Sequence, residues 1–125
     1  MAANPQYVGT PKSPSVAIAT ANPNRDGATG TYATLMTAGA SGSRIDKISI
    51  KATATTTAGM VRLFVGAALI REFPVMPVTP SGTLPTWAQE YIFDGGLVLA
   101  AGVAVKVSTQ NAEAFNVTVL NGGDF

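Results

Sequence analysis

The chain has 125 residues, enough for one domain with a real core and too few for two. Apolar residues make up 46% and charged residues only 12%, which excludes intrinsic disorder over most of the length and leaves little charge for a surface. Such a surface is either covered by neighbours in an assembly or is that of a bland, Thr-coated monomer. The net charge of +1 comes from eight basic residues scattered from Lys12 to Lys106, so no concentrated basic face for nucleic acid is expected. The densest group, Arg44, Lys47 and Lys51, is interrupted by Asp46 and reads as a solvated strand face.

Cysteine is absent, so no disulfide or thiolate metal site can form. No apolar run approaches the ~20 residues that span a bilayer. The start, Met-Ala-Ala-Asn-Pro-Gln-Tyr, has no charged n-region or apolar h-region, so synthesis in the cytoplasm without signal-directed export is expected.

Residues 1–30 differ in kind from the rest. Pro5, Pro11, Pro14 and Pro23 remove backbone donors and bias their predecessors towards extended conformations. The segment is expected to be an extended N-terminal arm, with Tyr7, Val8, Val16 and Ile18 as its apolar anchors. Only Ser15 to Thr20, where Val16 and Ile18 alternate with small residues, could add an edge strand.

From residue 31 onward the period is two, and residues 31–125 are expected to form the body. Thr31–Thr37 sets Tyr32, Thr34 and Met36 against Ala33 and Leu35. Over Arg44–Ala54, Ile48, Ile50 and Ala52 alternate with Lys47, Ser49, Lys51 and Thr53. Ile45 is out of phase, which predicts a bulge near Asp46 or an apolar contact on the outer face. Met60–Val65 puts Val61, Leu63 and Val65 opposite Arg62. Leu69–Val78 is broken by Pro74 and Pro77 and reads as an edge or kinked strand. Trp87, Gln89, Tyr91 and Phe93 share a face. Val103, Val105 and Val107 point in against Lys106 and Ser108, and Phe115, Val117 and Val119 repeat the pattern.

Turn chemistry falls between these runs, at Gly39-Ala-Ser-Gly42, Thr57-Ala-Gly59, Pro80-Ser-Gly82, Asp94-Gly-Gly96 and Ala101-Gly102. No stretch carries helical spacing. The expected fold is all-β, a single-domain antiparallel β-sandwich of about eight strands, of which the jelly roll is the commonest version.

Candidates for chemistry are few. There is no histidine, which removes the usual general base, metal ligand and imidazole triad. Glycoside hydrolysis needs two acids facing across ~5–10 Å. Glu72 and Glu90 are the conceivable pair, and they read instead as residues of a polar strand face. Asn22-Pro-Asn-Arg-Asp26-Gly27 opens like a calcium loop, but its twelfth position, which needs a bidentate acid, is Ala33. An Asx-rich turn is expected there. Gly39-Ala-Ser-Gly-Ser lacks the Lys and helix of a phosphate cradle and is expected to be a hairpin turn. Asn116-Val-Thr118 matches a glycosylation acceptor but lies in an expected strand. Trp87 reads as core or subunit contact, or, with Tyr91, as a sugar-stacking platform. No catalytic, metal or cofactor site is expected, and no enzyme activity.

The stretches Gly42-Ser-Arg-Ile-Asp-Lys-Ile-Ser-Ile-Lys-Ala-Thr, Thr55-Thr-Thr-Ala-Gly-Met-Val-Arg-Leu-Phe-Val and Asn111-Ala-Glu-Ala-Phe-Asn-Val-Thr, with the Gly122-Gly-Asp-Phe end, resemble small virion structural proteins of tailed bacteriophages and prophages. The resemblance runs from about Arg25 to Phe125 and is carried by short, non-catalytic motifs. It implies a virion component made in the host bacterium, of the head decoration or cement kind. Such a protein would be a homotrimer on the capsid surface that binds the major capsid protein and needs neither nucleic acid nor membrane. A carbohydrate- or receptor-binding module of a tail fibre or spike is the alternative, and a phage glycosidase or lysin fragment a weaker third.

Overall fold

The computed structural model describes residues 8–125. Nine strands and no helix occur among them: β1 (Thr10–Lys12), β2 (Ser15–Ile18), β3 (Ala33–Thr37), β4 (Ser43–Ala52), β5 (Gly59–Val65), β6 (Ala68–Val75), β7 (Ala88–Leu99), β8 (Ala104–Thr109) and β9 (Phe115–Asp124). In the first sheet β1 and β2 both pair with β9, which continues through β4 to β7; the second runs β3-β8-β5-β6. All named strand pairs are antiparallel. From β2 onward, every connection except the β5–β6 hairpin crosses between sheets. That winding is a jelly roll, and the chain is a single-domain β-sandwich.

The alternation read from the sequence is what packs the sheets together. Ile48, Ile50 and Ala52 of β4 lie across from Val119, Val117 and Phe115 of β9, and all six are buried. Val61 and Leu63 of β5 face them from the second sheet with Val105 and Val107 of β8. The proline-broken run is the edge strand β6, which pairs only with β5.

Two irregularities shift the pattern. In β3 the register slips between Thr34 and Met36, so Leu35 and Met36 are both buried instead of facing opposite ways. The second lies beside Asp46. Ile45 pairs with Leu97 and Lys47 with Ile92, so residues 93–96 of β7 stand opposite Asp46 alone. Gly95 and Gly96 take left-handed φ of 80° and 85° there. The expected turn at Asp94-Gly-Gly96 is therefore a bulge inside β7, and it is the bulge foreshadowed by the phase of Ile45, which is buried. The expected hairpin at Gly39–Gly42 is a tight turn, closed by Gly42 N–H on the Gly39 carbonyl, but it passes the chain from one sheet to the other.

The N-terminal segment is extended, yet over residues 10–18 it is part of the sandwich and not an arm held away from it. Val16 and Ile18 pair with Val117 and Phe115 of β9; Ile18 joins the core and Val16 packs against it. The reason is the free edge of β9, which offers unpaired backbone beside an apolar face. Pro11 sits opposite Gly123 at that edge, where its missing N–H costs no ladder bond. A Cβ at Gly123 would run into the Thr10 carbonyl, so the Gly122-Gly123 end of the chain lets β1 approach. Asp124 then clamps both neighbours, accepting from the Ser43 hydroxyl at 2.5 Å and pairing with Lys12 at 2.5 Å.

Residues 19–32 leave β2 and cross the outer face of the second sheet as a strap. Ala21 forms a parallel bridge with Thr109, and Asn22 N–H donates to the Thr109 carbonyl at 2.8 Å. Buried Asn22 holds the strap's own ends together, donating to the Thr31 carbonyl at 2.9 Å and accepting from Asn24 N–H at 3.1 Å. Asp26 accepts from the backbone N–H of Ala28 and Thr29, the expected Asx turn. Lys106 donates to the Gly27 carbonyl at 2.6 Å. Gly27 has φ 70°, and a Cβ there would strike the Ala67 carbonyl. Beneath the strap lie Arg62 and Phe64, on the outward side of β5 yet 1% and 0% exposed. Tyr32 meets the Phe64 ring edge-on at 5.0 Å.

Three carboxylates are held below their ordinary range. Thr29, by hydroxyl and then N–H, lowers Asp26; Arg25 and then Arg62 lower Glu72; Lys12 and then Ser43 lower Asp124. A depressed folded pKa stabilises above the unfolded value, ~3.9–4.3, and that stability is lost as pH falls through the folded value. The sequence has no histidine to titrate between about pH 5 and 8. The thermal midpoint is expected to stay level across that range and to fall below about pH 4. A marked drop between pH 8 and 5 would overturn this assignment.

Candidate interaction surfaces

The residues proposed from the sequence do not converge. Tyr7 lies outside the described residues. Val8 is half-buried against Gly123, and Val16 and Ile18 are spent on the protein's own core. Trp87 is 8% exposed and packs edge-on against Phe115 at 5.9 Å, so its ring face is not available to a sugar. Tyr91 is wedged between Phe73 and Phe93 at 5.6 and 5.0 Å, with the Arg71 guanidinium 4.7 Å over its ring. The shared face of Trp87, Gln89, Tyr91 and Phe93 turns towards the other sheet, and the stacking-platform arrangement is not formed.

The carboxylate pair is likewise absent. Glu72 is on the outer side of the second sheet, bound by Arg25 and Arg62, and Glu90 is on the outer side of the first, 2.5 Å from Lys47. The sandwich stands between them. Among the described residues no group of three or more acidic, His or Cys side chains could hold a metal ion.

The basic residues of β4 form a solvated, internally matched face. Arg44 donates to Asp46 at 2.6 Å, Lys47 pairs with Glu90, and Lys51 donates to the Thr86 carbonyl at 3.1 Å. Asn121, at a left-handed φ of 55°, adds a bond to Asp46 at 2.8 Å. Matching cancels charge on this face and leaves its apolar members prominent.

Those members are on β7, the free edge of the first sheet. Ile92 and Val98 are 67% and 63% exposed and flank the Gly95–Gly96 bulge on the outer face. Lys47 connects them to the rest of the sheet, lying between Ile92 and the half-buried Leu120. Among the described residues, this 12-residue edge strand has one line of backbone N–H and C=O groups without a partner strand.

Sequence reasoning missed two features here. It placed no weight on Ile92 or Val98, because a β7 bulge had been read as a turn. It set Arg62 opposite Val61, Leu63 and Val65 and gave no sign that the strap covers it. Compared with protein-family models, curated proteins and solved structures, the chain matches none.

Proposed function

We propose that this chain is a non-enzymatic structural subunit of a bacteriophage particle, a decoration or cement protein that sits as a homotrimer on the capsid and binds the major capsid protein. The resemblance in the virion-type motifs suggests the setting. The observation that carries the reading is the free edge strand β7, with exposed Ile92 and Val98 beside it. An edge of this length, with apolar side chains on its outer face and only 12% charge in the whole sequence, is suited to cover by another copy. Function of this kind rests on buried area and needs no cofactor. With Val16 and Ile18 committed to β2, the contact with the particle falls to the faces and loops of the body.

Light scattering of the purified protein at micromolar concentration is expected to give three times the 12.7 kDa chain mass. The double variant Ile92→Asp, Val98→Asp should scatter as monomer while keeping its strand spectrum. Wild-type protein should also sediment with particles that lack it. A wild-type protein that is monomeric when free and when released from particles, or that does not sediment with them, would overturn the proposal.

A further inference from the structure

Where the strap passes the start of β5, an open cleft of about 560 Å³ is bounded by Pro23, Ala58, Gly59 and Met60 on its apolar sides and by Arg25, Arg62 and Gln110. The two arginines converge on one acceptor. Arg25 Nε and Arg62 Nε reach the same oxygen of Glu72, at 2.8 and 2.9 Å. Two cations and one carboxylate leave a positive charge uncompensated.

The donors are also unevenly used. The Arg62 side chain is 2% exposed; its Nη1 donates to the Asn22 carbonyl at 3.3 Å, and its Nη2 has only the Met60 sulfur at 3.9 Å. A guanidinium carries five N–H groups, and a thioether is a weak acceptor for one of them. Met60 lines the cleft, so this poorly satisfied edge of Arg62 lies at its wall. Arg25 is half exposed, and its two Nη groups have no acceptor among the described residues. A buried charge with spare donors is costly to leave unmatched.

We infer that this cleft is a carboxylate-recognition site, in which Arg25 and Arg62 donate to a carboxylate carried on an apolar stem by a partner protein. The ligand is singly charged because one positive charge is in excess. It is planar because forked N–H donors match two coplanar oxygens. Its stem is apolar because Pro23, Ala58 and Met60 form the remaining walls. The inference does not rest on the particle reading, and the free protein tests it.

The test is a titration of the full chain, followed by backbone amide NMR, with N-acetylglutamate N-methylamide and with N-acetylalanine. The first presents a side-chain carboxylate and the second a terminal one. Saturable shifts at Gly59, Met60 and Gln110 are expected at millimolar ligand, the range for a single small contact. The tighter of the two names the source. Arg25→Gln should weaken binding roughly tenfold, and Arg25→Lys should recover only part of it, because an ammonium has no fork. Gln110→Glu, which supplies a carboxylate from within, should raise the melting temperature and remove the response. No shift at about 100 mM of either ligand would overturn the inference. So would an equal response to the neutral N-acetylglutamine N-methylamide, unweakened binding by Arg25→Gln, or much tighter binding of inorganic phosphate.

Discussion

Deleting residues 2–24 is expected to abolish the cooperative unfolding transition, because the segment removed is structural. The deletion takes away β1, β2 and the near end of the strap. Ile18 alone, 6% exposed, accounts for ~1.5–3 kcal/mol of burial. Losing β2 uncovers the edge of β9, whose Phe115, Val117 and Val119 are otherwise at most 1% exposed. Losing Asn22 takes the carbonyl partner from Arg62 and the N–H partner from Thr109. A buried polar group left without its partner costs ~1–3 kcal/mol. These losses are comparable with the ~5–15 kcal/mol that holds an ordinary domain folded. Deleting residues 2–7 removes none of these contacts and is expected to preserve the transition. Circular dichroism melts of both variants beside the full chain decide the matter. A cooperative melt of the 2–24 deletion within a few degrees of the full chain would show that residues 25–125 fold without β1 and β2.

That outcome could not be read from composition. Over residues 8–30 the prolines and glycines correctly indicate non-helical, largely extended chain, since they act locally on φ and on backbone donors. Whether extended chain lies on its own body depends on the free edge of β9, nearly a hundred residues away in sequence. The same limit explains the Asp94-Gly-Gly96 stretch. Glycines there do adopt positive φ, as their composition suggests, but the local signal is the same for a reversal and for a bulge. What distinguishes them is that β7 resumes pairing with β4 at Leu97 and Val98. By contrast the inward faces of β5, β8 and β9 are legible, because apolar residues at every second position fix which side of each strand meets the core. Trp87 fell between these cases: its place in the alternation was clear, and its burial became clear only once Phe115 stood against it.

The strap makes a claim that alternation alone contradicts, and Phe64 tests it most directly. By period, Phe64 points away from the inter-sheet core, with Arg62, and a phenylalanine on a wet outer face would contribute little. Replacing it with alanine would then change stability by no more than ~0.5 kcal/mol. With residues 19–32 laid across that face, Phe64 is 0% exposed and Tyr32 packs against its edge at 5.0 Å. Phe64→Ala is therefore expected to cost ~3–5 kcal/mol, the range for a buried phenylalanine. For a chain of this size that is a fall in melting temperature of roughly 10–20 °C. The strap should also loosen, since the ring it covers is gone and only its polar ties, through Lys106, Asn22 and the Arg25–Glu72 pair, remain to hold it. Arg25 is the strap's basic residue and its trypsin site, so cleavage after Arg25 is expected to accelerate in the variant relative to the full chain. Phe64→Leu, which keeps most of the apolar volume, should fall between the two. A Phe64→Ala protein that melts within a degree or two of the parent, with unchanged cleavage at Arg25, would show that the outer face of the second sheet is bare and that the strap does not lie on it.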